Sequence, residues 1–364
     1  MDHQPTTPPP PHRFRNEGNT CYINSVIQAL FASKHFRNHV VTSDITTTND
    51  MGIAPLFKVL FEEMQNNSTS QVVRLRPLFN VLEERIGGIL ELFQENDAME
   101  FMTILLDELA KDYKFADTST TSTSAYPQRC LEPVFAKLDT LLKKQWFESH
   151  NDALSGFVDV IYGQYVIQVR CTNCRFSSHR GEPFVSLDLS LGGDATLDMT
   201  DLVSTAFNCE HIHERECDKN CGKAPGVRSS RIWKTPKMLL IHFKRFHGFQ
   251  KITTPVAVPD TLHLKPYSLF CENPNYNLVA IICHVGQLQS GHYFALVKRQ
   301  DTWYLVDDDM APRKITDIQQ YSRTFYIVVY DQHEWFSLLS TQFDNQLSFI
   351  QACNFYFPLL GNFF

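Results

Sequence analysis

Cys21 stands between the turn-forming run "NEGN" and the apolar stretch "CYINSVIQALFA". A thiol in the first turn of a helix lies near the positive end of the helix dipole, which favours the nucleophilic thiolate. Such a nucleophile needs a base within hydrogen-bond reach, and the base needs a third group to orient it. His292 is the candidate base: it follows Gly291 at the opening of a strand-like run in "SGHYFALVKRQDTWYLVDDDM". Beyond the next such run, "WYLV", come Asp307, Asp308 and Asp309. A hairpin joining the two runs brings Asp307 or Asp308 beside the imidazole, fixing its tautomer and stabilising its protonated form. Asn16 offers a side-chain amide to a developing oxyanion. Each residue alone has a structural explanation; together they describe covalent attack by a cysteine on a carbonyl.

A second set of residues can hold a metal. Cys171 and Cys174 form a C-x₂-C pair, and Cys217 and Cys221 a C-x₃-C pair. Two close pairs supply the four soft ligands of tetrahedral zinc and leave no open position, so the site is expected to be structural. The alternative is four reduced, unligated thiols. Cys209, His211 and His213 are reserve ligands that read more simply as surface residues.

These groups need elements to carry them. Ile23, Val26, Ile27, Leu30 and Phe31 recur at helical spacing and predict one buried stripe behind Cys21. "NDAMEFMTILLDELAKD" predicts a second helix, with Asp97 and Glu100 spaced as a capping box. "FADTSTTSTSAYP", from residue 115, reads as a polar loop. From about residue 156 onward "DVIYGQYVIQVRCTNC", "EPFVSLDLSL", "KMLLIHFKRF", "YNLVAIICHV" and "TFYIVVY" predict strands, with Lys244 to Phe246 on a solvent face. Helices first and strands later make the fold class α+β.

Bulk composition narrows the function. Thirty-three basic against forty acidic side chains give a net charge of −7, which disfavours a nucleic-acid surface and suits a basic partner. Ten cysteines in 364 residues are too sparse for a disulfide scaffold and fit a reducing compartment. "MDHQPTTPPPPH" reads as a solvated, disordered Pro-rich leader over 1–12 rather than a secretory signal. No apolar run approaches the length of a membrane span. The expectation is an intracellular protein, in cytoplasm, nucleus or both. Residues 332–364 are aromatic and irregular, with Trp335, Phe336, Phe355 and Phe357, and read as a tail of unassigned role.

"NEGNTCYINSVIQAL" resembles the cysteine box of the ubiquitin-specific proteases, a family of papain-like deubiquitinating enzymes, and "SGHYFAL…WYLVDDDM" resembles their histidine box. Between the boxes, "NDAMEF", "YGQYVIQVRCTNC" and "PKMLLIHFKRF" resemble three further family segments in the same order. The resemblance runs from about Arg13 to Asp331. It implies a papain-like hand with a helical thumb (about 13–155), zinc-bearing β fingers (about 156–236) and a β-rich palm (about 237–331).

The resemblance also implies roles. Cys21 matches the nucleophile, His292 the general base, Asp307 the third triad member, Asp308 an assisting acid and Asn16 the oxyanion-hole amide. The bond cleaved would follow ubiquitin's C-terminal glycine, with no catalytic cofactor and one structural zinc. The partners would be ubiquitin or ubiquitinated proteins, with an activating partner allowed. Asp97, and more weakly Glu100, would face ubiquitin's basic tail, with His284 and Gly291 beside the same channel. Asp97 and Glu100 as simple helix caps, and His284 as a strand-end histidine, are the competing readings. Two departures from the family pattern stand out: Asn96 where glutamine is common, and the longer second cysteine pair. A catalytically weak ubiquitin-binding scaffold and a protease for a ubiquitin-like modifier are the rival functions.

Overall fold

All twelve residues of helix α1 (Cys21–Ala32) are buried, so the expected stripe is an apolar cylinder enclosed on every side. Its polar side chains are paired inward. The Gln28 amide donates to the His12 carbonyl at 2.7 Å, and Ser25 Oγ donates to the Tyr22 carbonyl at 2.9 Å. Pro11 and His12 are therefore buried too, and packed chain begins inside the segment expected to be a solvated leader. At the other end of α1, Arg37 donates to the Phe31 carbonyl at 2.7 Å, and Arg299 lies 4.4 Å from the Phe31 ring centroid. Two cations thus sit at the negative pole of this helix.

The computed structural model describes residues 10–43, 45, 52–66, 72–73, 75–116, 133–150, 155–193, 195–248, 250–269, 274–287 and 290–333. Residues 1–9, most of the polar stretch expected from residue 115, and the aromatic tail from residue 334 lie outside them. The remaining described helices are α2 (Lys34–Thr42), α3 (Ile53–Asn66), α4 (Arg76–Ile86), α5 (Ala98–Ala116), α6 (Pro133–Ser149), α7 (Gly156–Ile161) and α8 (Met199–Ala206). Helix α7 corrects the strand expected over "DVI". Phe157, Val158, Val160 and Ile161 are all buried there, and a short run of buried apolar residues has no periodicity that separates helix from strand. Helix α5 continues to Ala116, one turn beyond "LAKD".

Two sheets divide the strands. Four antiparallel strands lie in the order β4-β3-β8-β7: β3 (Gly163–Cys171), β4 (Ser177–Phe184), β7 (Glu210–Glu216) and β8 (Lys223–Lys234). The larger sheet runs β17-β16-β15-β14-β18-β9-β5, with β13 paired to β14. Its members are β5 (Ser186–Ser190), β9 (Met238–Lys244), β13 (Thr261–His263), β14 (Asn275–Gly286), β15 (Gly291–Arg299), β16 (Thr302–Val306), β17 (Arg313–Ile315) and β18 (Phe325–Gln332). Minor pairs are β1 (Arg13–Phe14) with β2 (Val72–Val73), β6 (Leu197–Asp198) with β12 (Val256–Ala257), and β10 (Phe246–His247) with β11 (Gln250–Lys251). Strand β5 shows that sequence blocks and sheets do not coincide, because it joins the large sheet by parallel pairing with β9.

The large sheet is covered on both faces, which explains its continuous apolar strands. Ala280, Ile282, Ala295 and Val297 pack with α1 and the other helices, whereas Ile281, Cys283, Phe294 and Leu296 enter a second core with α8. The carboxyl end of β18 closes the structure onto α2. Asp331 accepts from Ser33 Oγ at 2.5 Å and from the Lys34 N–H at 2.6 Å, supplying a cap to α2 from the last strand.

The sequence places Lys244 to Phe246 on a solvent face, and Arg245 overturns that. Its side chain is fully buried. The guanidinium donates to the carbonyls of Ile252 at 2.9 Å, Thr254 at 3.0 Å and Ser322 at 3.0 Å, and also to that of Phe325. A buried charge is tolerable when every donor has an acceptor, and the rigid fork of arginine reaches several at once. Burial holds this guanidinium down at about 10.

Candidate active site

Helix α1 begins at Cys21, and the turn before it is built by residues with positive φ, Gly18 at 105° and Asn19 at 52°. Asn16 closes that turn. Its carbonyl oxygen accepts from the N–H groups of Gly18 and Thr20, each at 3.1 Å, and from Thr20 Oγ1 at 3.2 Å. The amide face is thereby fixed, and its nitrogen donates to Asp308 Oδ2 at 2.9 Å. A primary amide has two N–H groups, so one remains for a ligand in the cleft that Asn16 helps to line.

The β15–β16 hairpin brings His292 and Asp307 together, with Nε2 of the imidazole 2.6 Å from Asp307 Oδ1. The same imidazole is hydrogen-bonded to the Cys21 side chain. Hydrogen bonding to Asp307, then to Cys21, outweighs burial and pushes the imidazole up to about 10. The ring is therefore held as imidazolium through neutral pH, the partner a thiolate requires.

Asp308 occupies a different place from Asp307. Its backbone is left-handed, with φ of 45°, and its carbonyl accepts from the Phe14 N–H at 3.0 Å. One carboxylate oxygen takes Asn16, and the other takes the Asn24 amide at 2.8 Å. Burial pushes this carboxyl up, and the two amides oppose that shift. Sequence reading missed Asn24. Its signal was a polar residue one helical turn after Cys21 in a largely apolar run that also carries Ser25 and Gln28.

A cleft of about 180 Å³ contains Cys21, His292 and Asn16, with Asp97, Asn96, Glu95, His284, Gly291, Tyr22, Tyr293 and Phe246 also in its lining. Asp97 serves as a helix cap here, accepting from the N–H groups of Met99 at 2.7 Å and Glu100 at 3.1 Å. Its second oxygen accepts from Tyr326. Both oxygens are engaged while the residue still lines the cleft. Glu100 is exposed on the first turn of α5 and does not line it. Asn96 donates to Tyr22 Oη at 3.1 Å and to the Glu91 carbonyl at 2.7 Å, packing the loop against α1. Glu95 is a lining residue that the sequence reading did not name, and Phe246, expected on a solvent face, is half-buried and lines the cleft.

His284 is buried on β14 between the rings of Phe246, Tyr293 and Tyr326. Burial, reinforced by the charge of Lys251, lowers its imidazole to about 4. It is neutral where His292 is charged. Gly291 has a steric reason: a Cβ there would lie 2.1 Å from His284 Nε2. Only glycine admits the ring.

The four cysteines converge at the far end of the smaller sheet. Their sulfurs all lie within 4.8 Å of one another, with Cys171 to Cys221 at 3.7 Å and Cys174 to Cys217 at 3.5 Å. Tetrahedral zinc with bonds of about 2.3 Å spaces its sulfurs by about 3.8 Å, so the cluster fits that ion. The longer second pair is absorbed by a tight turn, with Asn220 and Gly222 at φ of 56° and 90° and the Asn220 N–H donating to the Cys217 carbonyl at 2.7 Å. A backbone N–H at Lys219 pulls Cys217 down to about 6, and hydrogen bonding to Cys217 pushes Cys221 up to about 12. Cys209, His211 and His213 are exposed and stand outside the cluster.

The family described as "Ubiquitin carboxyl-terminal hydrolase" matches residues 12–330. One relative, Ubiquitin carboxyl-terminal hydrolase 4 of Arabidopsis thaliana, is 28% identical over 310 residues, covering 81% of this chain and 83% of its own length. Among the described residues no helix is long and apolar enough to cross a membrane.

Proposed function

Because the chain belongs to the ubiquitin carboxyl-terminal hydrolase family and is a cysteine-protease deubiquitinase, we propose that Cys21, His292 and Asp307 are its catalytic triad. The bond cleaved is the isopeptide or peptide bond after the C-terminal glycine of ubiquitin. The observation that carries this reading is the imidazole of His292, held to Asp307 at 2.6 Å and raised to about 10 beside Cys21.

In this reading the sulfur of Cys21, its proton passed to His292, attacks the glycine carbonyl. The free N–H of Asn16 and the first-turn N–H groups of α1 stabilise the tetrahedral oxyanion. His292 then gives its proton to the leaving lysine amine. Water, deprotonated by His292, releases the acyl-enzyme. Asp307 keeps the imidazole in one tautomer throughout, and Asp308 acts on the reaction through Asn16 and Asn24.

The groups around the cleft suit a basic, glycine-ended tail. Asp97 and Glu95 offer carboxylates, while Asn96, Tyr22, His284 and Tyr293 narrow the approach. Glu100, on the exposed turn, contributes only to the surrounding negative field. Zinc, when bound, supplies no chemistry; Cys171, Cys174, Cys217 and Cys221 would hold it and so fix the end of the smaller sheet. The small sheet acts as fingers, the large sheet as palm and the helices as thumb. A reactive thiol and a reduced cluster suit an intracellular compartment.

The test is reaction with ubiquitin carrying a thiol-reactive group at its C-terminus, beside Cys21→Ala and a ubiquitin-like probe. An adduct with ubiquitin that is lost in Cys21→Ala is expected. Labelling by the other probe alone would transfer the activity to that modifier, and binding without an adduct would make the protein a scaffold.

A further inference from the structure

Among the described residues, Lys251 is a cation whose ammonium reaches the backbone beside the cleft. It sits on β11, paired across the ladder with Phe246 on β10, and its Nζ lies 5.9 Å from the Phe246 ring centroid. Nζ donates to the carbonyls of His284 at 2.7 Å and Gly286 at 3.1 Å. These carbonyls close the end of β14, where Val285 pairs with His292 and Gly286 with Gly291. The Phe246 ring in turn meets His284 edge-on, with centroids 5.5 Å apart. One ammonium therefore ties together two cleft-lining side chains and the strand end opposite His292.

The tie is anchored from behind. Arg245 holds the Ile252 and Thr254 carbonyls on one side and those of Ser322 and Phe325 on the other. The Thr324 carbonyl, within that second segment, accepts the His284 N–H at 2.8 Å. His284 is thus fixed through its N–H by a segment that Arg245 orders, and through its C=O by Lys251. Burial, with the nearby Arg245 charge, lowers the ammonium to about 8, as expected of a cation that exchanged water for carbonyls. Lys251 itself is not among the residues lining the cleft.

We propose that Lys251 is a positioning residue for the ubiquitin tail, its ammonium holding Phe246, His284 and the Val285–Gly286 strand end in the form that makes one wall of the cleft. This rests on the deubiquitinase reading above. Its effect falls on binding of the tail rather than on the Cys21–His292 pair, because no contact of Lys251 reaches either residue directly.

The experiment compares wild type, Lys251→Met and Lys251→Arg by hydrolysis of a fluorogenic ubiquitin C-terminal amide, by alkylation of Cys21 with iodoacetamide, and by thermal melting. Loss of these hydrogen bonds in Lys251→Met is expected to raise KM about 5- to 10-fold. The alkylation rate should stay within about twofold of wild type, and Lys251→Arg should recover most of the KM because it restores the donors. An unchanged KM in Lys251→Met overturns the inference. So does a parallel fall in alkylation rate and melting temperature, which would make Lys251 a general support of the fold. A wild type that neither binds nor cleaves ubiquitin removes the functional reading and this inference with it. Normal wild-type turnover indifferent to Lys251→Met removes the inference alone.

Discussion

Asn16 donates its side-chain amide to Asp308 at 2.9 Å across 292 positions of sequence. The contact joins the turn before Cys21 to the loop after Asp307. It separates the first two aspartates of the "DDD" run: Asp307 holds His292, whereas Asp308 holds Asn16 and Asn24, so in the proposed mechanism the first orients the base and the second the oxyanion donor.

That division predicts a coupled pair of variants. Asp308→Ala frees the Asn16 and Asn24 amides and should lower kcat by about 10- to 100-fold with little change in KM. Asn16→Ala should cost a similar factor, and the double variant little more than either single one. Steady-state kinetics on a double-mutant cycle measures this; full additivity would show that Asp308 does not act through Asn16.

The pH dependence follows from His292. Its folded value of about 10 lies above the ordinary histidine value of about 6.5. The stability gained from its protonated form is complete below about 6.5 and disappears as pH rises through about 10. Turnover that needs imidazolium to protonate a leaving amine should persist into alkaline solution and fall as pH nears 10. Asp307→Asn removes the largest cause of the shift, so the alkaline limb of kcat/KM should move down by about one unit or more, with kcat lowered by about 100-fold or more. A ubiquitin isopeptide of a labelled lysine peptide is the substrate to use. An unmoved limb would separate His292 from Asp307.

Metal analysis addresses the cysteine cluster. A single equivalent of zinc per chain is expected, lost in Cys217→Ser and on treatment with a strong chelator. Chelation should lower the melting temperature while leaving Cys21 alkylation close to its starting rate, since the cluster and the cleft lie on different sheets. Metal-free protein with an unchanged melt would favour four unligated thiols.

Arg245 carries a stability prediction. Arg245→Leu abandons four carbonyl acceptors, two of them on buried residues, and should destabilise by about 3–5 kcal/mol in urea unfolding. Arg245→Lys keeps the charge but cannot span both segments, and should recover only part of that loss. A shift below about 1 kcal/mol in Arg245→Leu would mean that water replaces the guanidinium.

Some of this protein is written locally in its sequence. Turn residues before an apolar run start a helix at Cys21, strand-like runs joined by a short turn make the β15–β16 hairpin, and paired cysteines make turns that face each other. Each is set by neighbours along the chain, so spacing and residue type suffice to read it. The α+β order is legible for the same reason.

Other features were decided by tertiary packing. Asn24 reads as one polar residue on a helix until the fold brings Asp308 to it, and Arg245 reads as surface until a nearby turn and the distant Ser322–Phe325 segment supply its four acceptors. Asp97 has two engaged oxygens because β18 delivers Tyr326. The run Gly156–Ile161 is a helix because its apolar residues are enclosed, a condition its own pattern does not record. Burial and long-range hydrogen bonding are properties of the assembled chain. The sequence by itself determined which groups can do chemistry; the tertiary structure decided what holds each of them in place, because a contact between residues hundreds of positions apart leaves no periodicity in either.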